Sequence, residues 1–239
     1  MVRLVMDGFH ITCEETSPVY GLQSGKIVLI LAEGTENSVT DGAQYVFSTA
    51  DEDEPDGAVF SKDDLTINGT GTLTVKGNYS NGIRTKDHLK VMDGTLDIRA
   101  ERDGLKGKDS VTVKDGQIRI TSGEDGIKAN NDSDPEKGYV VIEGGSIQIQ
   151  AGDDGIHAET WLTIYDGDIE VQESYEGLEG LKVDILGGNI KVKSTDDGIN
   201  GAGGASGGEN QERAKMEVNE EAMCVLPEER YMWTPWRTE

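Results

Sequence analysis

Lys86 to Lys106 reads K-D-H-L-K-V-M-D-G-T-L-D-I-R-A-E-R-D-G-L-K. Two short alternating apolar pairs, Leu89/Val91 and Leu96/Ile98, are joined at Asp93-Gly94, and the turn that follows ends in Asp103-Gly104-Leu105. The same wording returns along the chain. Val111/Val113, Asp115-Gly116, Ile118/Ile120 and Asp125-Gly126-Ile127 form the next copy, and Val140/Ile142, Gly144-Gly145, Ile147/Ile149 and Asp154-Gly155-Ile156 the one after. Leu162/Ile164 to Glu176-Gly177-Leu178 and Val183/Ile185 to Asp197-Gly198-Ile199 continue it. The glycines Gly82, Gly104, Gly126, Gly155, Gly177 and Gly198 are separated by 22, 22, 29, 22 and 21 residues, so one repeat takes about 22. The long step holds Asn131 to Lys137, N-D-S-D-P-E-K, a composition that marks a surface loop.

Within a copy, apolar and polar residues alternate with a period of two, which makes each pair a strand with one face inward. No helical spacing occurs in the repeat. Strands this short cannot form a hairpin sheet alone, so each pairs with its copy in the next coil. The expected fold is all-β, a three-sided parallel β-helix with a core of stacked Ile, Leu and Val. Third-strand positions Val19, Val59, Ile83, Leu105, Ile127, Ile156, Leu178 and Ile199 give about eight coils, a stack about 35 Å tall.

Before the regular run, Val2/Leu4 and Met6-Asp7-Gly8-Phe9-His10-Ile11 already follow the strand, turn, strand pattern, and Lys26 to Leu31 is a further inner strand. Residues 33–57 read as a long excursion with an acidic run from Asp51 to Asp56. Met1 opens inside a coil, without the charged start and apolar run of a secretory signal, so an export signal and earlier coils are expected to have been lost by truncation. Residues 1–204 are expected to be the β-helix domain. After Gly198 the period ends in a Gly/Ala/Ser-rich stretch. Read from the third base of permitted codons, Tyr231 to Glu239 spells Tyr-Val-Asp-Ala-Met-Glu-Asp-Gly, the grammar of another coil. Residues 205–239 are therefore expected to be a low-order or out-of-frame tail.

The 239 residues suit one elongated domain, with 32 glycines and few aromatics. Lys plus Arg number 22 against 46 Asp plus Glu, a net charge of −24 that repels a phosphate backbone and argues against nucleic acid as a partner. Cations are the expected partners, and a monomer is the expected state. Cys13 and Cys224 lie too far apart to imply a disulfide framework. No apolar run approaches the ~18 residues of a membrane span.

The acid before each turn glycine carries the strongest chemical signal. Successive coils place Asn81, Asp103, Asp125, Asp154, Glu176 and Asp197 there, preceded by Ser80, Arg102, Glu124, Asp153, Tyr175 and Asp196. Stacked about 4.8 Å apart, two such charges repel by about 1 kcal/mol in water and about 3.5 kcal/mol at an effective dielectric of 20. Lysines in a neighbouring column (Lys62, Lys86, Lys106, Lys108, Lys128) can neutralise the early coils but thin out later. Zinc spacing of Cys and His is absent, and gathered hard oxygens suit Ca²⁺. The expected metal ligands are Asp103, Glu124, Asp125, Asp153, Asp154, Glu159, Asp196 and Asp197, with Asp132 and Asp134 nearby in the insertion loop.

Three runs carry a family resemblance: Ser61-Lys62-Asp63-Asp64-Leu65-Thr66-Ile67-Asn68-Gly69, Asp134-Pro135-Glu136-Lys137-Gly138-Tyr139-Val140-Val141-Ile142-Glu143-Gly144-Gly145, and Ala151-Gly152-Asp153-Asp154-Gly155-Ile156-His157-Ala158-Glu159. Over about residues 7–204 the chain resembles the clostridial carbohydrate-binding, right-handed parallel β-helix family, which is pectate-lyase-like in fold. The resemblance implies a secreted or surface-attached protein that binds calcium, cellulose and acidic sugars such as polygalacturonate, with calcium on the doubled acids.

An anionic protein can hold an anionic polysaccharide if a calcium ion keeps open positions for uronate carboxylates. For a neutral glucan, aromatic faces are wanted, and Trp161, Tyr165, Tyr139 and Tyr175 lie in adjacent coils. Lys128 and His157, beside the acids, complete the expected sugar-facing set. No catalytic residue is assigned. The runner-up reading is a calcium-dependent, pectate-lyase-like polysaccharide lyase with a base drawn from Arg84, Lys106, Lys128 or His157, and the third is a passive surface or adhesion scaffold.

Overall fold

The computed structural model describes residues 1–201 together with two short strands, Glu217–Val218 and Met223–Val225. Apart from those strands, the expectation for residues 205–239 lies outside the described residues. Among the described residues every regular element is a strand, and every strand pairing is parallel.

One coil shows how the repeat folds. Leu105–Gly107 lies on a first face, Ser110–Val113 on a second and Gln117–Ser122 on a third. Ile127–Ala129 then returns to the first face, paired with Leu105–Gly107. The pairings step by one repeat, Leu105 with Ile127, Val111 with Val140 and Ile118 with Ile147. On the first face the strands run from Val19–Gly21 to Ile199–Asn200 and number eight, the expected count of coils. Alternation sends Leu96/Ile98, Ile118/Ile120 and Ile147/Ile149 into a continuous apolar core, each at most 2% exposed. Their polar neighbours remain outside.

The corners depend on glycine. At the second corner of five successive coils stand Gly94, Gly116, Gly145, Gly167 and Gly188, with φ between +93 and +127°. A Cβ on Gly116 would stand 2.7 Å from the Gly94 carbonyl oxygen of the coil below. Left-handed backbone and contact between coils thus require the same residue at the same place.

Two features depart from the expected plan. Residues 33–57 are not wholly an excursion, because Glu36–Asp41 is a regular third-face strand, paired with His10–Cys13 and with Thr72–Gly77. Its inward residue Asn37 is only 2% exposed. The Asn37 side chain accepts from the Phe9 N–H (2.9 Å) and donates to the Thr72 carbonyl (3.0 Å), so a polar residue fills an inner position by bonding the backbone on both sides. The second departure is at the corner between the first and second faces. Ile156–Ile164 and Leu178–Ile185 run through it as single strands, which joins two faces into one 15-stranded sheet beside a nine-stranded third face. Their register shifts between Ala158 and Trp161, where the 21-residue coil has one residue fewer.

Candidate functional site

The acid column runs along the corner between the third and first faces. Its inner members are Asp103, Asp125 and Asp154, at 0%, 0% and 5% exposure. The N–H of Asp103 donates to Asn81 Oδ1 (3.3 Å), that of Asp125 to Asp103 Oδ1 (3.2 Å) and that of Asp154 to Asp125 Oδ1 (2.9 Å). Asn81, Asp103 and Asp125 therefore each cap the backbone of the coil above. The second carboxylate oxygen turns to a base three residues on, which the two-residue period of the first face places outward. Lys106 Nζ meets Asp103 Oδ2 at 2.5 Å, Lys128 Nζ is bonded to Asp125 Oδ2, and His157 Nδ1 lies 2.9 Å from Asp154 Oδ2. Where the acid position holds Asn81, Arg84 pairs with Asp56 instead.

This arrangement separates the doubled acids. Asp125 and Asp154 are inner, whereas Glu124 is half-buried, Asp153 exposed, and Glu124 is paired with Arg102 at 2.8 Å. Asp103 and Asp125, two of the expected metal ligands, carry lysine ammonium groups on the oxygens that an ion would need. Burial works against the charge on Lys128, but the Asp125 carboxylate outweighs it and holds the ammonium above its ordinary range. The insertion loop does not reach the ladder. Asn131 donates to Asp109 Oδ1 (2.7 Å) and Lys137 to Asp109 Oδ2 (2.7 Å), anchoring the loop at the corner between the first and second faces.

The ladder changes character at the coil of Glu176. In the base column, Arg84, Lys106, Lys128 and His157 are followed by Glu179 and then Asn200. His157 Nδ1 is shared between Asp154 and Glu179 Oε2, 2.5 Å away, and Nε2 lies 3.8 Å from Glu159. Burial of the ring opposes its charge, yet the Asp154 and Glu179 carboxylates prevail and hold the imidazole pKa up at about 10. The ring is thus an imidazolium at neutral pH. Burial pushes Asp154 and Glu176 up, the crowding of Glu179 adding to each.

Oxygen atoms of Asp154, Glu176 and Glu179 lie within 4.8 Å of one another, and so do those of Glu176, Asp196 and Asp197. Glu176 belongs to both groups, and its Oε2 accepts from Asn200 (2.9 Å). A third group, Asp125, Asp154 and His157, includes the protonated ring. Of the expected ligands the structure therefore brings together Asp154, Asp196 and Asp197 around Glu176. Glu159 stands on the far side of the His157 ring. Glu176 and Glu179 were not in the expected set, although a Glu in the column that otherwise holds Arg, Lys and His was the available signal.

The expected sugar-facing residues fall in separate places. Tyr139 and Trp161 stack on the second face, centroids 4.7 Å apart and planes at 6°, so each covers one ring face of the other. Tyr165 and Tyr175 are 54% and 50% exposed at two different corners. Lys128 and His157 are engaged in the ladder.

Known proteins bear on this arrangement. A family model described as carbohydrate-binding domain-containing protein matches residues 1–211. A relative from Acetivibrio thermocellus with the same description is 42% identical over 97 residues, which is 41% of this chain. The match spans about a third (34%) of that relative's own length. A solved structure described as a polysaccharide lyase-like protein from C. thermocellum, in a gadolinium derivative, superposes with a TM-score of 0.69 at 37% identity, covering 83% of this chain and 77% of its own. With the family model extending past the last complete coil and the solenoid shared with that structure, the chain belongs to the carbohydrate-binding domain-containing protein family.

Proposed function

We propose that the protein is a secreted, non-catalytic module that holds plant cell-wall polysaccharide, cellulose or acidic sugars such as polygalacturonate, with Ca²⁺ bound at the acidic end of the ladder. The observation that carries the metal is the change at Glu179. Below it every rung has its own cation; from it upward Asp154, Glu176, Glu179, Asp196 and Asp197 share His157 alone among the rung bases. These are hard carboxylate oxygens, the donor type that Ca²⁺ takes in sets of about six to eight. Asp196 and Asp197 are exposed, so an ion there keeps positions open to solvent and to a sugar carboxylate. Bound in that way, it turns repulsion between a −24 chain and a uronate into a bridge.

Calorimetric titration of the full chain with Ca²⁺, alone and with oligogalacturonate, tests this reading. Saturable calcium heat that is lost in Glu179→Gln, and oligogalacturonate binding that strengthens with calcium, are expected. No calcium heat in either titration would remove the bridge. Turnover to an unsaturated uronate, followed by ultraviolet absorbance, would replace a binder with a lyase.

A further inference from the structure

The third face has a charge pattern that the ladder does not explain. From Thr72 to Lys191 its outward positions are polar throughout, while Leu73/Val75, Leu96/Ile98, Ile118/Ile120 and Ile147/Ile149 point inward. Three successive coils place Lys76, Arg99 and Arg119 there. Arg99 registers with Lys76, and Arg119 with Asp97. All three cations are exposed, and among the described residues none takes part in an ion pair. On the first face, by contrast, Arg84, Lys106, Lys128 and His157 each hold a carboxylate.

Arg119 lies in a furrow of about 250 Å³ whose polar lining is Thr95, Asp97, Gln117, Arg119, Ser146 and Gln148. It continues into a space of about 420 Å³ over the corner glycines Gly94, Gly116 and Gly145, sharing Thr95, Gln117 and Ser146 with it and bordered at its far side by Asp93 and Asp115, so a sugar carboxylate is directed to the Arg119 end. Gln148 Oε1 accepts from Arg119 Nη2 at 3.2 Å, which steadies the guanidinium across the strands and leaves most of its fork toward solvent. The planar fork matches a carboxylate. Asp97, acceptor-only when ionised, calls for hydroxyl donors, and the carboxamides and hydroxyls around it both donate and accept. A DNA phosphodiester backbone or inorganic sulfate offers the anion but no hydroxyl for Asp97. A uronate ring offers both.

We infer that this third-face furrow is a calcium-independent subsite for a uronate residue of an acidic polysaccharide, Arg119 taking the sugar carboxylate and Asp97 a hydroxyl. The inference rests on the carbohydrate-binding reading and adds to it a contact that needs no metal.

Calorimetry of the full chain with short oligogalacturonate, in calcium and in EDTA, tests it against Arg119→Gln and a control, Lys90→Gln, on the exposed second face. A binding event that survives EDTA is expected, weakened by added salt. Arg119→Gln lowers its affinity at least about tenfold, and a methyl-esterified oligomer shows the same loss with the unaltered chain. Lys90→Gln changes nothing, and matching thermal melts show that both variants fold. Binding that appears only with calcium and ignores Arg119→Gln overturns the subsite and leaves the carbohydrate reading intact. Failure to retain any polysaccharide, with or without calcium, overturns both.

Discussion

Asp154 donates its backbone N–H to the carboxylate of Asp125, 29 residues earlier, at 2.9 Å. One side chain thus fixes the spacing of two coils and also pairs with Lys128 of its own coil. Two substitutions separate these roles. Asp125→Ala leaves a half-buried ammonium and a buried N–H without these partners and is expected to cost about 2 to 3 kcal/mol. Asp125→Asn keeps an acceptor for Asp154 but not the charge, and is expected to cost less. Thermal and denaturant unfolding of the two variants gives the comparison; equal losses would mean that the N–H contact contributes nothing.

His157 sets a pH dependence whose direction follows from its surroundings. Its pKa in the folded protein is about 10, above the ordinary value near 6.5. The stabilisation from its charged contacts is therefore complete below about pH 6.5 and is lost as pH rises through 10. Denaturant midpoints measured between those limits are expected to fall, and the fall is expected to shrink in His157→Gln. An imidazole titrating near 6.5 by NMR in the folded chain would contradict this.

Much of this was legible in the sequence, because a strict repeat makes spacing equivalent to contact. Knowing that Asp125 and Asp154 occupy the same slot of consecutive copies is enough to place them on neighbouring rungs, whatever the length of the loop between them. The strand Glu36–Asp41 was hidden because Asn37 takes an apolar slot and satisfies itself by hydrogen bonds, which leaves Val39 as the strand's one buried apolar side chain. The division of the doubled acids into inner and outer members was also hidden. It depends on the i+3 base reaching back around the Asp-Gly turn, a contact visible only once the backbone path is known. Aromatic content was visible, but ring orientation was not. In a solenoid, equivalent rings stack along the axis, so Tyr139 and Trp161 cover each other's faces.

That stacking yields a prediction about sugar affinity, read by calorimetry. With one indole face on Tyr139 and Lys182 as the register partner on the other side, Trp161 is not available as a sugar platform. Trp161→Phe is expected to leave oligosaccharide affinity within about twofold, a change of about 0.4 kcal/mol. A loss of tenfold or more would return the second face to the binding site.

The corner glycines make a sharper test of the architecture. A Cβ on Gly126 would lie 2.5 Å from Ile149 Cγ2 and 2.6 Å from the Gly155 carbonyl oxygen, both in the next coil. The backbone there cannot retreat without breaking the ladder above, so Gly126→Ala is expected to destabilise by about 1 to 3 kcal/mol. Gly25→Ala has open space and meets only the strain of its positive φ, and is expected to cost about 1 kcal/mol. Unfolding curves that rank the two in the opposite order would argue against close contact between coils.

The last prediction concerns the switch from base to acid at Glu179. If the upper rungs lack only a cation, Glu179→Lys should supply one and extend the pattern of Lys106 and Lys128 by a rung. Calcium binding is then expected to be lost, the repulsion among Asp154, Glu176 and residue 179 being relieved without an ion but at the cost of the His157–Glu179 contact. In the unaltered chain the same relief comes from the ion, and a hundredfold excess of calcium over its dissociation constant stabilises by about 2.7 kcal/mol. Melting both chains with calcium and with EDTA gives four midpoints. The unaltered chain is expected to rise with calcium, and the Glu179→Lys chain to melt at the same point with calcium and with EDTA. If the variant's midpoint rises with calcium as far as that of the unaltered chain, the carboxylates around Glu179 do not hold the ion, and the metal reading loses its physical basis.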